Sequence, residues 1–455
     1  MRRKFHLLKR RALNPTRIVA GSFAVIIALG TLLLTLPLAS RDGQSANVLT
    51  SLFTATSSTC VTGLVVADTA TQWSFFGQVV ILAMIQLGGL GFITVMTLFS
   101  LVVRRKIGLS ERLIMGSSLN LNNMSGVVRL VRFTLKWTLC FEGMGALLLM
   151  TRFIPAYGWG QGVWMGVFHA VSAFCNAGFD ILGLDKPYQS LVPFQNDPVV
   201  LFAVMALIVI GGLGFFVWSD IAQNRRWRKL TLYTKLVLVM TAALLLIGWA
   251  ILAAVEWHNP ETLGEMSVGG KLMNALFQSV TFRTAGFSAI DQGGLRDTSQ
   301  ALGCILMLIG GSSGSTAGGI KTVTVAVLGL SVLAGFRGLS TVTIGGRSID
   351  RRQQTSATTL MLTALLFFLI GSMFLSLFDA IPFMDAGFEV ASALGTVGLT
   401  VGITPMLSIP CRVFLILLMY LGRVGILSCS IAFSSPRAVA RETKIKYPVT
   451  DVMIG

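Results

Sequence analysis

The sequence predicts an all-α polytopic membrane protein of four tandem helix, re-entrant loop, helix repeats, which gives eight transmembrane helices and four loops. The first observation is composition: 54% of the 455 residues are hydrophobic, the mean hydropathy is +0.76 and only 12% are charged, against about 25% in soluble domains. The second is that many apolar runs reach the ~20 residues that a helix needs to cross ~30 Å of hydrocarbon. The third is that long and half-length apolar segments alternate in the same order four times.

The elements of each repeat follow from these apolar runs. Long spans lie near 16–37 and 75–103, 133–154 and 199–221, 232–255 and 301–336, and 357–378 and 411–433. Within each pair lies a half-span, at 47–58, 163–173, 271–281 and 385–394. At ~1.5 Å per residue a half-span reaches only about half way through a bilayer, so it must re-enter. The predicted domains are a cytoplasmic segment 1–15, repeat 1 at 16–103, a linker at 104–132, repeat 2 at 133–222, a linker at 223–231, repeat 3 at 232–340, a linker at 341–356, repeat 4 at 357–433 and a tail at 434–455.

Basic residues cluster after every second or third apolar span. Of the 36 Lys and Arg residues, 27 lie before residue 18 or within 104–136, 225–235, 337–352 and 437–446. The positive-inside rule assigns such clusters to cytoplasmic loops, which predicts a multi-pass protein in a lipid bilayer with both termini in the cytoplasm. A net charge of +17 could also indicate nucleic acid, but nothing gathers these charges on one soluble face, so no nucleic-acid partner is predicted.

Acidic residues fall mostly in the opposite loops, which are predicted to form the outer face. They are 13 of the 19 Asp and Glu residues, among them Asp68, Asp180, Glu256 and Glu389. Clefts lined by one sign of charge concentrate counter-ions, so an acidic outer face favours cations. Ordinary solvated loops explain the same pattern equally well.

The four half-spans end in related tripeptides. These are Val61-Thr62-Gly63, Asn176-Ala177-Gly178, Thr284-Ala285-Gly286 and Thr396-Val397-Gly398, each followed by a large apolar residue. Glycine can adopt the positive φ that turns successive carbonyls to one side. Non-helical backbone at membrane depth is tolerated only where it is buried in protein or lines an aqueous path. The loops are therefore predicted to be pore loops in a pseudo-fourfold arrangement around one ion pore.

The chemistry of such a ring favours a monovalent cation. Carbonyl oxygens can replace the water shell of a cation, and Thr396-Val397-Gly398 matches the start of the Thr-Val-Gly-Tyr-Gly filter of potassium channels. Each half-helix should also direct its carboxyl end, with roughly half a negative charge, toward the pore centre. One such tripeptide is an ordinary loop turn, whereas four in register indicate a selectivity filter.

Longer motifs surround these tripeptides and carry a resemblance to a known family. They are Thr59-Cys60-Val61-Thr62-Gly63-Leu64, Gln86-Leu87-Gly88-Gly89-Leu90-Gly91-Phe92, Asn176-Ala177-Gly178-Phe179, Arg283-Thr284-Ala285-Gly286-Phe287, the Gly-Ser-rich stretch 310–321, Gly395-Thr396-Val397-Gly398-Leu399-Thr400 and Gly422-Arg423-Val424-Gly425. The sequence resembles the Trk/Ktr/HKT superfamily of potassium transporters, and most closely the membrane subunit of the bacterial Ktr system. The resemblance implies sodium-stimulated potassium uptake across the bacterial inner membrane, a homodimer with one pore per subunit, and a cytosolic nucleotide-binding regulatory ring as partner. Gly63 favours potassium, since sodium-conducting plant relatives have serine there.

Ten consecutive small residues interrupt the second span of the third repeat. Helix propensity is low throughout this stretch, which predicts a broken, mobile segment beneath the filter, and the resemblance identifies the segment as the gate, together with Lys321. Close helix packing through small residues is the alternative. A phosphate-binding loop is excluded because Ile320 breaks the spacing of that motif and no strand precedes it. The ten residues are Gly310, Gly311, Ser312, Ser313, Gly314, Ser315, Thr316, Ala317, Gly318 and Gly319.

Two charged residues lie within apolar spans. Arg423 follows Cys411 by 12 residues, or about 18 Å of helix, which is near mid-bilayer. A lipid-facing position there would cost at least ~2.5 kcal/mol, so Arg423 should face protein or the pathway. The resemblance places Arg423 beside the pore below the filter, as part of the gate. The alternative is an ion pair of Arg423 with Glu142, which is itself expected to snorkel or to pair with a basic group near the cytoplasmic end of its span.

The sequence contains no evident catalytic or chelating constellation. Its six cysteines and three histidines are scattered, without the paired spacings of zinc or cluster sites. We therefore predict no enzyme, no organic cofactor and no metal other than K⁺ at the filter, with Na⁺ as an activator. Two mechanisms stay open: gated, channel-like potassium translocation, and sodium- or proton-coupled symport on the same scaffold. Carbonyl filters suit conduction, while alternating access usually relies on inverted repeats.

Overall fold

The computed structural model of the chain describes residues 15–91, 127–339 and 341–425. The predicted N-terminal segment and C-terminal tail, most of the 104–132 linker and the ends of the 75–103 and 411–433 spans lie outside the described residues. The structure is almost entirely helical, with one two-stranded hairpin between the third and fourth predicted repeats.

Each predicted repeat contains a long helix, a short helix and a second, shorter or broken helix. The first has α1 (Pro15–Thr35), α2 (Val48–Cys60), the single-turn α3 (Thr69–Gln72) and α4 (Phe75–Leu90). The second has α5 (Val127–Tyr157), α6 (Trp159–Phe174), α7 (Pro198–Leu213) and α8 (Phe215–Gln223). The third has α9 (Leu232–Glu256), α10 (Val268–Thr281), α11 (Asp297–Leu308) and α12 (Thr322–Phe336), followed by β1 (Thr343–Ile344) and β2 (Arg347–Ser348). The fourth has α13 (Arg351–Asp379), α14 (Phe383–Gly395) and α15 (Ile409–Val424).

Several helices of the described residues are long and apolar enough to cross a membrane. Four qualify singly, in α1, α5, α9 and α13, and a fifth if α7 and α8 count as one span. The chain is therefore a polytopic membrane protein. The continuous span predicted at 199–221 is wrong, because α7 and α8 meet at an angle of 91°. The break falls at Gly214, whose φ of 92° takes it out of helical geometry.

The short helices α2, α6, α10 and α14 have 13, 16, 14 and 13 residues, or about 20–24 Å at ~1.5 Å per residue, too short to cross ~30 Å of hydrocarbon. Side-chain caps help to fix where two of them begin. The Asn47 side chain accepts a hydrogen bond from the Leu49 N–H, and Ser267 accepts one from the Gly270 N–H. Such caps satisfy backbone donors that have no partner within the helix.

Packing between the predicted repeats closes a circle. Helix α4 contacts α6, α7 contacts α10, and α11 contacts α14, so each repeat touches the next along the chain. Helix α15 of the fourth repeat then contacts α1 and α2 of the first. The short helices are buried inside this circle, whereas the long helices leave many large apolar side chains exposed on the outside, as a lipid-facing surface requires.

Candidate functional site

The four tripeptides directly follow the short helices and share one backbone conformation. In each, the first residue and the glycine have positive φ, while the middle residue does not. Left-handed backbone is uncommon for residues with a side chain, so its recurrence at four equivalent positions is a specific feature of these loops. All twelve residues are buried. The φ angles of the first residues are 57° for Val61, 60° for Asn176, 68° for Thr284 and 52° for Thr396, and those of the glycines are 96° for Gly63, 68° for Gly178, 83° for Gly286 and 96° for Gly398.

The four glycines contact one another in chain order and close a ring. A Cβ atom added to any one of them would collide with the carbonyl oxygen of the residue before the next glycine, so no side chain fits. Four equivalent backbone carbonyls, those of Thr62, Ala177, Ala285 and Val397, are thereby gathered in one ring. The distances from the added Cβ are 2.4 Å from Gly63 to Ala177 O, 2.7 Å from Gly178 to Ala285 O, 2.3 Å from Gly286 to Val397 O and 2.2 Å from Gly398 to Thr62 O.

Hydroxyl groups near the ends of the short helices hold the loops in place. Ser57 Oγ accepts a hydrogen bond from the Gly63 N–H at 3.0 Å, and Ser392 Oγ accepts one from the Gly398 N–H at 3.0 Å. In the other two repeats Ser172 and Thr281 donate to the carbonyl of the residue after the glycine, at 2.7 and 2.6 Å. The sequence analysis missed these four residues, although a hydroxyl near the end of every half-span was a visible pattern.

The stretch 310–319 is non-helical, as its composition predicts, and forms a closed loop between α11 and α12. A Cβ atom added to Gly310 would lie 1.9 Å from Gly318 O, so the two ends of the loop touch. The loop is bound to the break between α7 and α8: the Ser312 N–H donates to Gly212 O at 3.0 Å, and the Phe215 N–H donates to Gly314 O at 2.9 Å.

The same loop reaches the short helices and the tripeptides. Thr316 Oγ1 donates to the carbonyl of Phe174, the last residue of α6, at 3.1 Å. A Cβ atom added to Gly318 would lie 2.0 Å from Thr396 Oγ1, so the loop also contacts the first residue of the fourth tripeptide. Thr316 and Ala317 are buried, with 0% and 2% of their surface exposed. The loop therefore fills the space against the inner ends of the second and fourth tripeptide loops.

Three basic side chains bind the loop through its backbone carbonyls. Arg423 donates to Thr316 O and also to the carbonyls of Gly88, at 2.5 Å, and Gly89, at 3.3 Å, on α4. Lys321 Nζ donates to Ala317 O at 2.8 Å. Arg283, which the sequence analysis did not single out, donates to Gly310 O at 3.3 Å. The structure thus brings Lys321 and Arg423 to the loop, as their assignment to one site requires.

The acidic side chains differ from the sequence expectations. Glu142 is buried and accepts from Gln86 Nε2 at 3.0 and 3.2 Å, so it does not snorkel, and it pairs with no basic group among the described residues. Glu256 and Glu389 were placed with the outer loops, but they are 1% and 0% exposed, at the end of α9 and within α14. The prediction that these two residues lie in outer loops is therefore wrong as to the loops, because the distribution of charge along a sequence carries no information on burial.

A helical membrane protein that gathers backbone carbonyls from four buried loops into one ring has the architecture of an ion-translocating protein. The chain belongs to the TrkH family of cation transport proteins, which matches residues 2–441. This membership confirms the resemblance found in the motifs, and it confirms the prediction of a transporter rather than an enzyme.

Relatives cover nearly the whole chain. The chain is 42% identical over 451 residues to the potassium/sodium uptake protein NtpJ of Enterococcus hirae, with 98% of each chain covered. It is 38% identical over 452 residues to Ktr system potassium uptake protein B of Bacillus subtilis, with 99% of each covered. Its fold is similar to the crystal structure of the potassium transporter TrkH from Vibrio parahaemolyticus, with a TM-score of 0.73, 18% identity, and 96% of this chain and 87% of that chain covered.

Proposed function

We propose that the chain is a potassium-selective uptake protein of the bacterial inner membrane, in which the four tripeptides form the selectivity filter at the centre of four pseudo-equivalent repeats. The observation that carries this proposal is the closed ring of carbonyls from Thr62, Ala177, Ala285 and Val397, because a carbonyl ring can replace the hydration shell of K⁺. The names of the relatives, which describe potassium uptake, support the choice of ion. The remaining spans of the eight are the shorter helices α4, α7 with α8, α11 with α12, and α15.

The loop 310–319, with Lys321 and Arg423, is proposed as the gate. Its support is position: the loop is buried against the tripeptide loops and bound by hydrogen bonds to carbonyls rather than built into a helix. A regulatory partner is supported by the relatives that are named as proteins of Ktr systems. That this partner is a cytosolic nucleotide-binding ring, and that the chain forms a homodimer, are proposed from the family resemblance of the motifs. Both termini are assigned to the cytoplasm from the basic clusters.

A second candidate is symport, in which Na⁺ or H⁺ moves with K⁺. It is favoured by the relative whose name describes uptake of both potassium and sodium. Fluxes of K⁺, Rb⁺ and Na⁺ into liposomes that contain the purified protein, at clamped membrane potential, separate the two mechanisms. Obligatory coupling of potassium flux to sodium flux, or to proton flux measured in the same liposomes, supports symport. Potassium flux with neither supports conduction, and stimulation by Na⁺ without its movement identifies Na⁺ as an activator.

Replacing Gly63 with serine should lower the ratio of potassium to sodium flux about tenfold. The added Cβ would lie 2.4 Å from Ala177 O, and such overpacking costs about 1–3 kcal/mol, where 1.4 kcal/mol is a factor of ten. The matched control is Gly143→Ser on α5, where an added Cβ meets no atom within 4 Å. The flux ratio is measured in liposomes, and an unaltered ratio in the Gly63 variant would reject the filter assignment.

The outer side of the second filter loop predicts a dependence on external pH. Burial and the nearby Asp68 carboxylate raise the pKa of Asp180, two residues after Gly178, to about 7. Above that pH Asp180 is negatively charged and attracts cations; a unit charge about 8 Å away is worth ~0.5 kcal/mol in water. Potassium uptake at low concentration should therefore fall about twofold between external pH 8 and 6.

Two variants check this pH dependence. Asp180→Asn should abolish it, because the amide does not titrate. Asp185→Asn, which changes an exposed carboxylate in the same loop, should leave it in place. Equal pH profiles for the wild type and Asp180→Asn would contradict the assignment.

A further inference from the structure

One buried polar side chain stands at the same position behind each filter loop. The carbonyls of Ser57, Ser172, Thr281 and Ser392 accept hydrogen bonds from the N–H of the middle residue of each tripeptide, at 2.8, 2.8, 3.1 and 2.8 Å, which makes these four residues equivalent. Three residues earlier, on the same helix face, lie Thr54, His169, Gln278 and Glu389, which are 0%, 0%, 1% and 0% exposed. Glu389 alone of the four is a carboxylic acid.

Glu389 holds the chain that leaves the fourth filter loop. Its Oε1 accepts hydrogen bonds from Thr400 Oγ1 and from the Val401 N–H, the latter at 3.2 Å. Its Oε2 accepts from Thr404 Oγ1 at 2.6 Å. All three donors follow Gly398, so one side chain of α14 fixes the segment 400–404 on the outer side of the tripeptide.

The other three repeats are braced less firmly. Gln278 exchanges two hydrogen bonds with Gln292, which follows the third filter loop, at 2.5 and 3.1 Å. His169 Nδ1 contacts Met165 O of its own helix, and within the described part of the chain Thr54 Oγ1 has no partner. The bracing is therefore asymmetric. The third and fourth loops are held by side chains on both sides, and the fourth is held at its outer side by one carboxyl group that accepts from three donors.

We propose that Glu389 is a positioning residue for ion selectivity, which keeps the fourth filter loop at the spacing that prefers K⁺ over Na⁺. The inference rests on the proposed filter function of the four tripeptides. A carbonyl ring discriminates between ions through its size and the field strength of its dipoles, and the smaller Na⁺ is excluded only if the ring cannot contract around it. A loop tied at both ends resists that contraction.

Glu389→Gln tests the proposal in liposomes. The amide keeps the size and one acceptor oxygen, but its NH₂ cannot accept from Thr404 Oγ1. We expect the ratio of potassium to sodium flux to fall about fivefold, or roughly 1 kcal/mol at 1.4 kcal/mol per tenfold. Thr400→Val and Thr404→Val should shift the ratio in the same direction by less. Bound K⁺ should raise the melting temperature of the wild type more than Na⁺ does. This difference between the melting temperatures in KCl and in NaCl should be smaller in the same variants.

Glu256→Gln is the matched control, because Glu256 is equally buried and accepts four hydrogen bonds outside the filter loops, from Asn259, Thr262, Arg296 and Ser299. It should lower the melting temperature without changing the flux ratio. If Glu389→Gln behaves in the same way, Glu389 is structural and the proposal is overturned; if Glu389→Gln does not fold, an unchanged ratio in Thr404→Val overturns it. Gly63→Ser, measured in parallel, tests the filter function separately from the role of Glu389. If the flux ratio changes in Gly63→Ser but not in Glu389→Gln, only the role of Glu389 is rejected.

Discussion

Deletion of residues 312–317 is expected to raise potassium flux at least about thirtyfold, which corresponds to about 2 kcal/mol of barrier at 1.36 kcal/mol per tenfold. The deletion removes the part of the loop that is buried against the end of α6. It also removes the carbonyl of Thr316, to which Arg423 donates. Because the ends of the loop already touch at Gly310 and Gly318, the shortened chain can close without moving α11 or α12.

Flux into liposomes, and uptake by cells with and without the proposed regulatory subunit, measure the effect. In cells the deletion should also weaken the dependence of uptake on that subunit. The double variant Ser312→Ala/Thr316→Val, which removes two side-chain hydrogen bonds to neighbouring elements, should give a smaller increase. Ser331→Ala is the control, since Ser331 Oγ donates only within its own helix, to Val327 O. A folded deletion variant whose flux stays low and partner-dependent would show that the loop is structural.

The tripeptides could be found in the sequence because their chemistry is local. Where the backbone needs a positive φ and has no room for a side chain, only glycine fits, so the requirement is visible in the sequence itself. The recurrence of the pattern at four equivalent positions then distinguishes it from an ordinary turn. The hydroxyl groups of Ser57 and Ser392 were missed, since their role depends on where the chain returns after the helix ends. Arg283 was missed for the same reason, because its partner Gly310 lies 27 residues away in sequence.

Burial and helix breaks were harder to predict. Glu389 was counted with the outer loops although it falls in a predicted half-span. A carboxyl group is costly to bury unless hydrogen-bond donors reach it, and its donors Thr400 and Thr404 come from later in the chain, where the sequence does not show that they fold back. The break between α7 and α8 had a visible indication. Gly211-Gly212-Leu213-Gly214 repeats Gly88-Gly89-Leu90-Gly91, and α4 and α7 each end directly before a glycine with positive φ.

Arg423 occupies the position where the loop 310–319 meets the first repeat. The half-buried guanidinium donates to Thr316 O on the loop and to Gly88 O and Gly89 O on α4, so one side chain ties the two together. Among the described residues the hydrogen-bond partners of Arg423 are backbone carbonyls. Glu142 instead accepts its hydrogen bond from Gln86. The geometry therefore favours a role at the gate over the ion pair with Glu142. In that role Arg423 could act through its positive charge, through the hydrogen bonds of its guanidinium fork, or through both.

Two substitutions separate charge from donor geometry. Arg423→Gln removes the charge and should raise potassium flux by about thirtyfold, because two unit charges about 8 Å apart repel by ~2 kcal/mol at an effective dielectric constant of about 20. Arg423→Lys keeps the charge but cannot reach both Thr316 and α4 with a planar fork. Flux that stays low in Arg423→Lys identifies the charge as the barrier, whereas flux as high as in Arg423→Gln identifies the tie to the loop.

The melting temperature of each variant completes the test of Arg423. Either gate role predicts a folded protein that conducts more potassium, although it loses hydrogen bonds to three carbonyls. A structural ion pair predicts a loss of ~3–5 kcal/mol from the uncompensated buried partner with no gain in flux, and Glu142→Gln should then restore the melting temperature of Arg423→Gln. If Arg423→Gln and Arg423→Lys both melt earlier and conduct no more potassium than the wild type, Arg423 has no part in the barrier.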